Sequence, residues 1–267
     1  MRMTWWHFRR RLGWSRLLPA WPAGITWRRL GAAFLLPGYG LVMAGYRRTG
    51  YGTVGLFGVA LLMFVIWFGQ PLGWAAVTVI IALHSIALGV WLGRMVPQGR
   101  LIAVPVAFVV LMAGLYWPLE QGLSRLVLPV QTVDGVVIVN RLVPSTLQRG
   151  DLVAFRIAAS TDRSQVRTRA GIGLERILAG PGETVRFSED EFAIGKETWP
   201  RRDYMPKSGE IHLGPDQWFV WPTFQVRNHR VDEAGVAAVF LEHSVIPRSE
   251  LLGVPCKRWF WRKAQLP

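Results

Sequence analysis

"DGVVIVNRLVPSTLQRGDLVAFRI", residues 134–157, decides what kind of chain this is. Two runs rich in valine, isoleucine and phenylalanine, 136–140 and 152–157, flank a stretch punctuated by Pro144, Gly150 and Asp151. Short β-branched runs bounded by turn residues read as strands. The same texture continues to the C-terminus, with further strand-like runs at 174–178, 184–187, 192–194, 218–221 and 236–241. No useful helical period is read among them, so residues 129–267 are expected to form a mainly-β domain with its own core.

Upstream the composition is different. Residues 1–128 hold twelve arginines and one acid, Glu120, whereas 129–267 hold nineteen basic and sixteen acidic residues. The excess charge therefore lies with the apolar half, where a nucleic-acid binder would carry it on the folded domain. A nucleic-acid partner is set aside on that ground. Hydrophobic residues make up 51% of the chain and tryptophans number 14, which suits a membrane protein carrying a globular part. Cys256 is the single cysteine and excludes an internal disulfide.

Residues 1–30 read as a basic, tryptophan-rich cytoplasmic arm lying on lipid headgroups. Three apolar stretches, 51–68, 73–92 and 101–118, are long enough to cross a bilayer, which takes about 20 helical residues. The membrane domain is taken as 31–128. Its first apolar stretch, 31–46, is short and broken by Pro37, Gly38, Gly40 and Gly45, and reads as a re-entrant or interfacial hairpin. Its glycines suit close helix packing. Arg47, Arg48, Arg94 and Arg100 flank the spans, while the turn 69–72 is uncharged. The positive-inside rule then puts the arginines in the cytoplasm and everything after Pro118 outside.

Four segments of the second half stand in an order that resembles the signal peptidase I family. "DGVVIVNRL" (134–142) and "QRGDLVAFRI" (148–157) look like two successive family strands. "LERILAGPGETVRFSEDEFAIG" (174–195) is similar to the lysine-bearing stretch, its Pro-Gly turn and the hairpin after it. "VIPRSELLGVP" (245–255) is similar to the closing segment. The framework positions that match are Pro129, Gly150, Asp151, Arg176, Pro181, Gly182, Pro247 and Gly253. The resemblance implies a multi-span α-helical membrane anchor followed by a mainly-β signal-peptidase-like domain. It further implies residence in the bacterial inner membrane, with the C-terminal domain extracytoplasmic, and a serine endopeptidase that removes leader peptides without metal or other cofactor.

The chemistry-bearing positions depart from that pattern. The matching register puts Leu126 at the nucleophile and Glu175 at the lysine general base. Leucine has no oxygen to attack a carbonyl, and glutamate is ordinarily too acidic to activate a serine hydroxyl. Arg176, next to it, does not release its proton. Ser124, two residues before Leu126, and Ser145, in the loop between the first two strands, are the substitute nucleophiles to weigh. Where the family carries Gly-Asp-Asn this chain has Pro222-Thr223-Phe224. His212, His229 and His243 have no zinc-ligand spacing.

The expectation is a pseudoenzyme whose β domain binds extended segments of exported or membrane proteins by strand addition. An active peptidase with a relocated nucleophile and Glu175 as base, and a structural membrane subunit, are the alternatives.

Overall fold

The computed structural model describes residues 26–95, 100–142, 147–161, 167–224 and 233–263. Residues 1–25 of the N-terminal arm, Ser145 and His229 lie outside them, while the last residues of the arm form the cap and first turn of a helix. The chain divides into two units, 1–122 and 123–267, six residues before the boundary drawn from composition.

The first unit is helical. Helices α1 (Trp27–Leu35) and α2 (Tyr39–Met43) are short and separated at Leu36–Gly38; α3 (Arg47–Ile66), α4 (Pro71–Met95) and α5 (Arg100–Leu111) follow. Thr26 caps α1, accepting from the Arg29 amide at 3.4 Å. Pro71 opens α4, where its missing N–H costs nothing. Three stretches, Arg47–Ile66, Pro71–Gly93 and Ile102–Leu126, are long and apolar enough to cross a membrane. Val59, Leu62, Ile86, Ile102 and Val109 are all more than half exposed. Such a surface is consistent with lipid around it.

Close packing through glycine is present at Gly38, where the sequence suggested it, and also at Gly89, which the sequence did not single out. A Cβ on Gly38 would meet the Gly50 carbonyl oxygen at 2.5 Å, and one on Gly89 would meet the Val104 Cα at 2.7 Å. The third span runs past Pro118, where it was expected to stop. A π-helical turn, Met112–Tyr116, leads into α6 (Trp117–Leu126), and the Trp117 amide donates to the Met112 carbonyl. The wide turn absorbs the bond that Pro118 cannot make. His84, buried in α4, pairs through Nδ1 with the Tyr116 hydroxyl at 2.8 Å.

The second unit holds the strands. They are β1 (Val127–Thr132), β2 (Gly135–Asn140), β3 (Leu152–Ile157), β4 (Ser160–Thr161), β5 (Arg167–Thr168), β6 (Gly171–Arg176), β7 (Thr184–Phe187), β8 (Glu191–Ile194), β9 (Glu197–Pro200), β10 (Gly209–His212), β11 (Gln217–Phe219), β12 (Val245–Pro247), β13 (Leu251–Pro255), β14 (Arg258–Trp259) and β15 (Arg262–Lys263). A five-stranded sheet, ordered β1-β2-β13-β3-β6, curls into a half-barrel, and β10-β7-β8-β9 form a second sheet. Strands at 184–187 and 192–194 stand as read from the sequence, and the acids Glu189 and Asp190 occupy the turn between them.

One expected strand is a helix. Residues 236–241 lie in α7 (Glu233–Glu242), whose Val236, Val239 and Phe240 are buried. Those three stand at helical spacing, i, i+3 and i+4, on one face. A continuous apolar run of this length does not distinguish strand from buried helix by itself. The α7 face joins the larger core, with the Phe240 ring against Tyr204, Trp221 and Phe224.

The matched framework positions make turns and pairings. Pro129 lies in β1 opposite Ile138. The Gly150 amide donates to the Ile177 carbonyl at 2.8 Å, while an Asp151 carboxylate oxygen accepts from the Gln148 amide at 2.8 Å. Gly180-Pro181-Gly182-Glu183 is a turn with Gly182 at φ +79°, closed by the Glu183 amide on the Gly180 carbonyl. Arg176 Nη1 reaches the Gly150 carbonyl at 3.4 Å. Pro247 pairs with Gln217. Gly253 marks a register shift in β13, at φ +153°, where a Cβ would run into the Asn140 carbonyl. Gly253→Ala forces a methyl into that carbonyl in a backbone conformation disfavoured for any L residue. It is expected to cost about 3 kcal/mol or more, read as a lowered thermal unfolding midpoint by tryptophan fluorescence in detergent. An unchanged midpoint would contradict this account of the bulge.

Candidate functional site

The candidate site is built on β6, an edge strand whose ladder partner among the described residues is β3 alone. Glu175 stands opposite Val153, and Gly173 opposite Phe155. The Phe155 ring fills the space a side chain at 173 would take. Glu175 therefore projects on the face that also carries Val153 and Phe155, beside the cluster of Ile157, Ile177, Trp218 and Val220.

Beyond β11 the chain runs extended through Val220 and Trp221, both buried, and reaches Pro222-Thr223-Phe224. That path delivers Thr223 to Glu175. The Thr223 amide donates to Glu175 Oε1 at 2.7 Å, and the Thr223 hydroxyl donates to the same oxygen at 2.6 Å. Burial raises the Glu175 carboxyl above the ordinary glutamate range; the two Thr223 hydrogen bonds and the Arg202 charge pull it back only in part. Thr223 was not singled out from the sequence as a partner of Glu175. Both residues had been read as site positions, but nothing in residues separated by that much chain says they touch.

The other sequence-derived positions do not join this pair through the sheet. Leu126 ends α6 and is about half exposed. It immediately precedes β1, the opposite edge of the sheet from β6. Four strand spacings of about 4.8 Å separate those edges along the curled surface, some ~19 Å of sheet. Ser124 was weighed as a residue that could share a strand face with position 126. It sits instead in the last turn of α6, and its carbonyl accepts from Arg141 Nη1 at 2.7 Å. The correction has a local cause: 117–126 places Leu119, Leu123 and Leu126 at helical spacing.

His212 is a surface residue held between the Thr184 hydroxyl (2.8 Å) and Glu210 (3.2 Å). The His243 ring lies edge-on to Phe224, with centroids 5.7 Å apart. Among the described residues no three His, Cys, Asp or Glu side chains come together as metal ligands would.

The arrangement can do two things chemically. It can lock the 222–224 segment to β6, since both Thr223 donors converge on one oxygen. It can also place a hydroxyl against a carboxylate of raised basicity, the geometry of a nucleophile beside a base. Comparison with known proteins adds no assignment: no model of a known family matches the chain, and no curated protein matches it.

The carboxyl has a pH signature. A carboxyl with a raised folded-state pKa contributes stability at pH below its unfolded value, and that contribution is lost as pH rises through the folded value. Wild type is thus expected to lose stability on going upward from about pH 4 toward neutrality relative to Glu175→Gln, which keeps an oxygen for Thr223 but does not ionise. Parallel melting profiles for the two proteins across that range would refute the burial argument.

Proposed function

We propose that this chain is a signal-peptidase-I-like protein of a bacterial inner membrane whose β unit binds extended segments of exported or membrane proteins without cleaving them. The observation that carries the reading is the edge strand β6 beside a Glu175 already taken up by Thr223. An edge strand offers main-chain donors and acceptors to an incoming peptide. Over 171–174 the side chains are two glycines, the partly exposed Ile172 and Leu174, so little bulk obstructs a strand laid along that edge. The apolar Leu126 and the acidic Glu175 at the dyad-matching positions argue against proteolysis. The arginine placement, read with three crossings, supports a β unit on the outer side of the membrane.

A second reading rests on one contact. The Thr223 hydroxyl, 2.6 Å from Glu175, supports a hydrolase in which Thr223 attacks and Glu175 takes its proton. The binding reading is favoured because the Thr223 amide, a natural donor to an oxyanion, already serves the same carboxylate oxygen.

Full-length protein in detergent is to be mixed with a secretory precursor. A photo-crosslinker at Ile172 is expected to capture it several-fold more than one at Lys196, in the exposed turn between β8 and β9, with no new product over the incubation. Equal capture at the two positions sinks strand addition. Cleavage lost in Glu175→Gln and in one of Thr223→Ala, Ser124→Ala or Ser145→Ala overturns the non-catalytic reading. For topology, a reporter fused after Pro267 is expected to be active outside the cytoplasm; activity inside reverses the orientation.

A further inference from the structure

The last described strands, β14 and β15, form a two-stranded hairpin with Arg258 opposite Lys263 and Trp259 opposite Arg262. Its tip is Phe260-Trp261. Both rings stand out of the fold, 52% and 66% exposed, and Phe260 holds the left-handed backbone conformation, φ +56°. A bulky residue there is strained, and the strain serves to present two large aromatics to the surroundings, not to bury them.

Charge surrounds this tip. Lys257, Arg258, Arg262 and Lys263 flank it, no acid follows Glu250 in the sequence, and among the described residues none of the four makes an ion pair. Arg262 is the informative one. Its Nε and one terminal nitrogen are buried with no hydrogen-bond partner among the described residues. Burial works against its positive charge. A guanidinium edge without an acceptor is costly, and its fork matches the oxygens of a phosphate. Directly across the hairpin stands Trp259, on the same face.

We propose that the hairpin 257–263 is a lipid-headgroup site, in which Phe260 and Trp261 enter the membrane interface and Arg262 binds the phosphate of an anionic phospholipid. Aromatic rings prefer the depth of the headgroups, and clustered basic residues add attraction to anionic lipid. The same chain carries three helices long and apolar enough to cross a bilayer. The inference stands apart from the peptide-binding reading, since β14 and β15 belong to neither large sheet.

The full chain tests it in a Cys256→Ser background, with a bimane label placed by Trp261→Cys or, as reference, by Lys196→Cys. The proteins are reconstituted into vesicles of phosphatidylcholine alone or with phosphatidylglycerol, each containing spin-labelled lipid as quencher. Quenching at 261 is expected to exceed that at 196 by about three-fold in the anionic vesicles and to fall toward the reference in pure phosphatidylcholine. Adding Arg262→Gln should cut the excess of quenching at 261 over 196 in the anionic vesicles by about five-fold. Inorganic phosphate at matched ionic strength should leave the quenching unchanged if a bilayer headgroup is the ligand. Quenching at 261 equal to that at 196, or the same in both lipid compositions, overturns the proposal and requires no variant at Arg262. Loss of quenching on adding phosphate makes the site one for the free anion and overturns the lipid assignment.

Discussion

Strand β13 is inserted between β2 and β3, and this long-range insertion is what turns two local hairpins into one sheet. Without it, β1-β2 and β3-β6 would each be a pair too small to be stable alone. The insertion is tight. Val254 and Pro255 pair with Asn140 and Val139 on one side, while Leu251 and Gly253 pair with Phe155 and Ala154 on the other. The extra residue between the last two pairings bends the strand, and Gly253 lets the backbone lie on the Asn140 carbonyl. A chain segment more than a hundred residues after β2 thereby fixes the curl that places β6.

Two of the hydrophobic clusters in this unit meet at β11. One gathers Val153, Phe155, Ile177 and Trp218 against the sheet; the other packs the second sheet and α7 around Phe192, Phe219 and Phe240. Trp218 and Phe219, adjacent in sequence, fall into different clusters because successive residues of a strand face opposite ways. The short β11 is thus the seam between them. The same seam continues into Pro222 and Thr223, which explains why this segment makes the Glu175 contact.

In the helical unit the governing constraint is different. Backbone polar groups must be satisfied within the helices themselves. The π-helical turn before Pro118 is a local solution to that demand, and the break between α1 and α2 falls at Pro37-Gly38, where the chain cannot keep its helical bonds. Glycines then let the helices approach until backbone meets backbone.

The membrane-length helices and most strands were legible from residue order, because hydrophobic length and the alternation of β-branched runs with Gly, Pro and Asp are local signals. So were the turns at Gly150-Asp151 and Pro181-Gly182. The helical state of 236–241 was not, since an apolar run of that length fits either geometry until the core selects one face. Nor was the end of the third span, where a π turn cancels the stop that a proline would signal. At the candidate site the residue order puts a carboxylate at 175 and an aliphatic side chain at 126, two positions singled out only by the resemblance. Only the folded chain brought Thr223 onto that carboxylate, kept position 126 on the far edge of the sheet, and left the Phe260-Trp261 tip outside the core. Those three outcomes depend on how strands far apart in sequence are ordered side by side, which the pairing of β13 decides and no short window of residues contains.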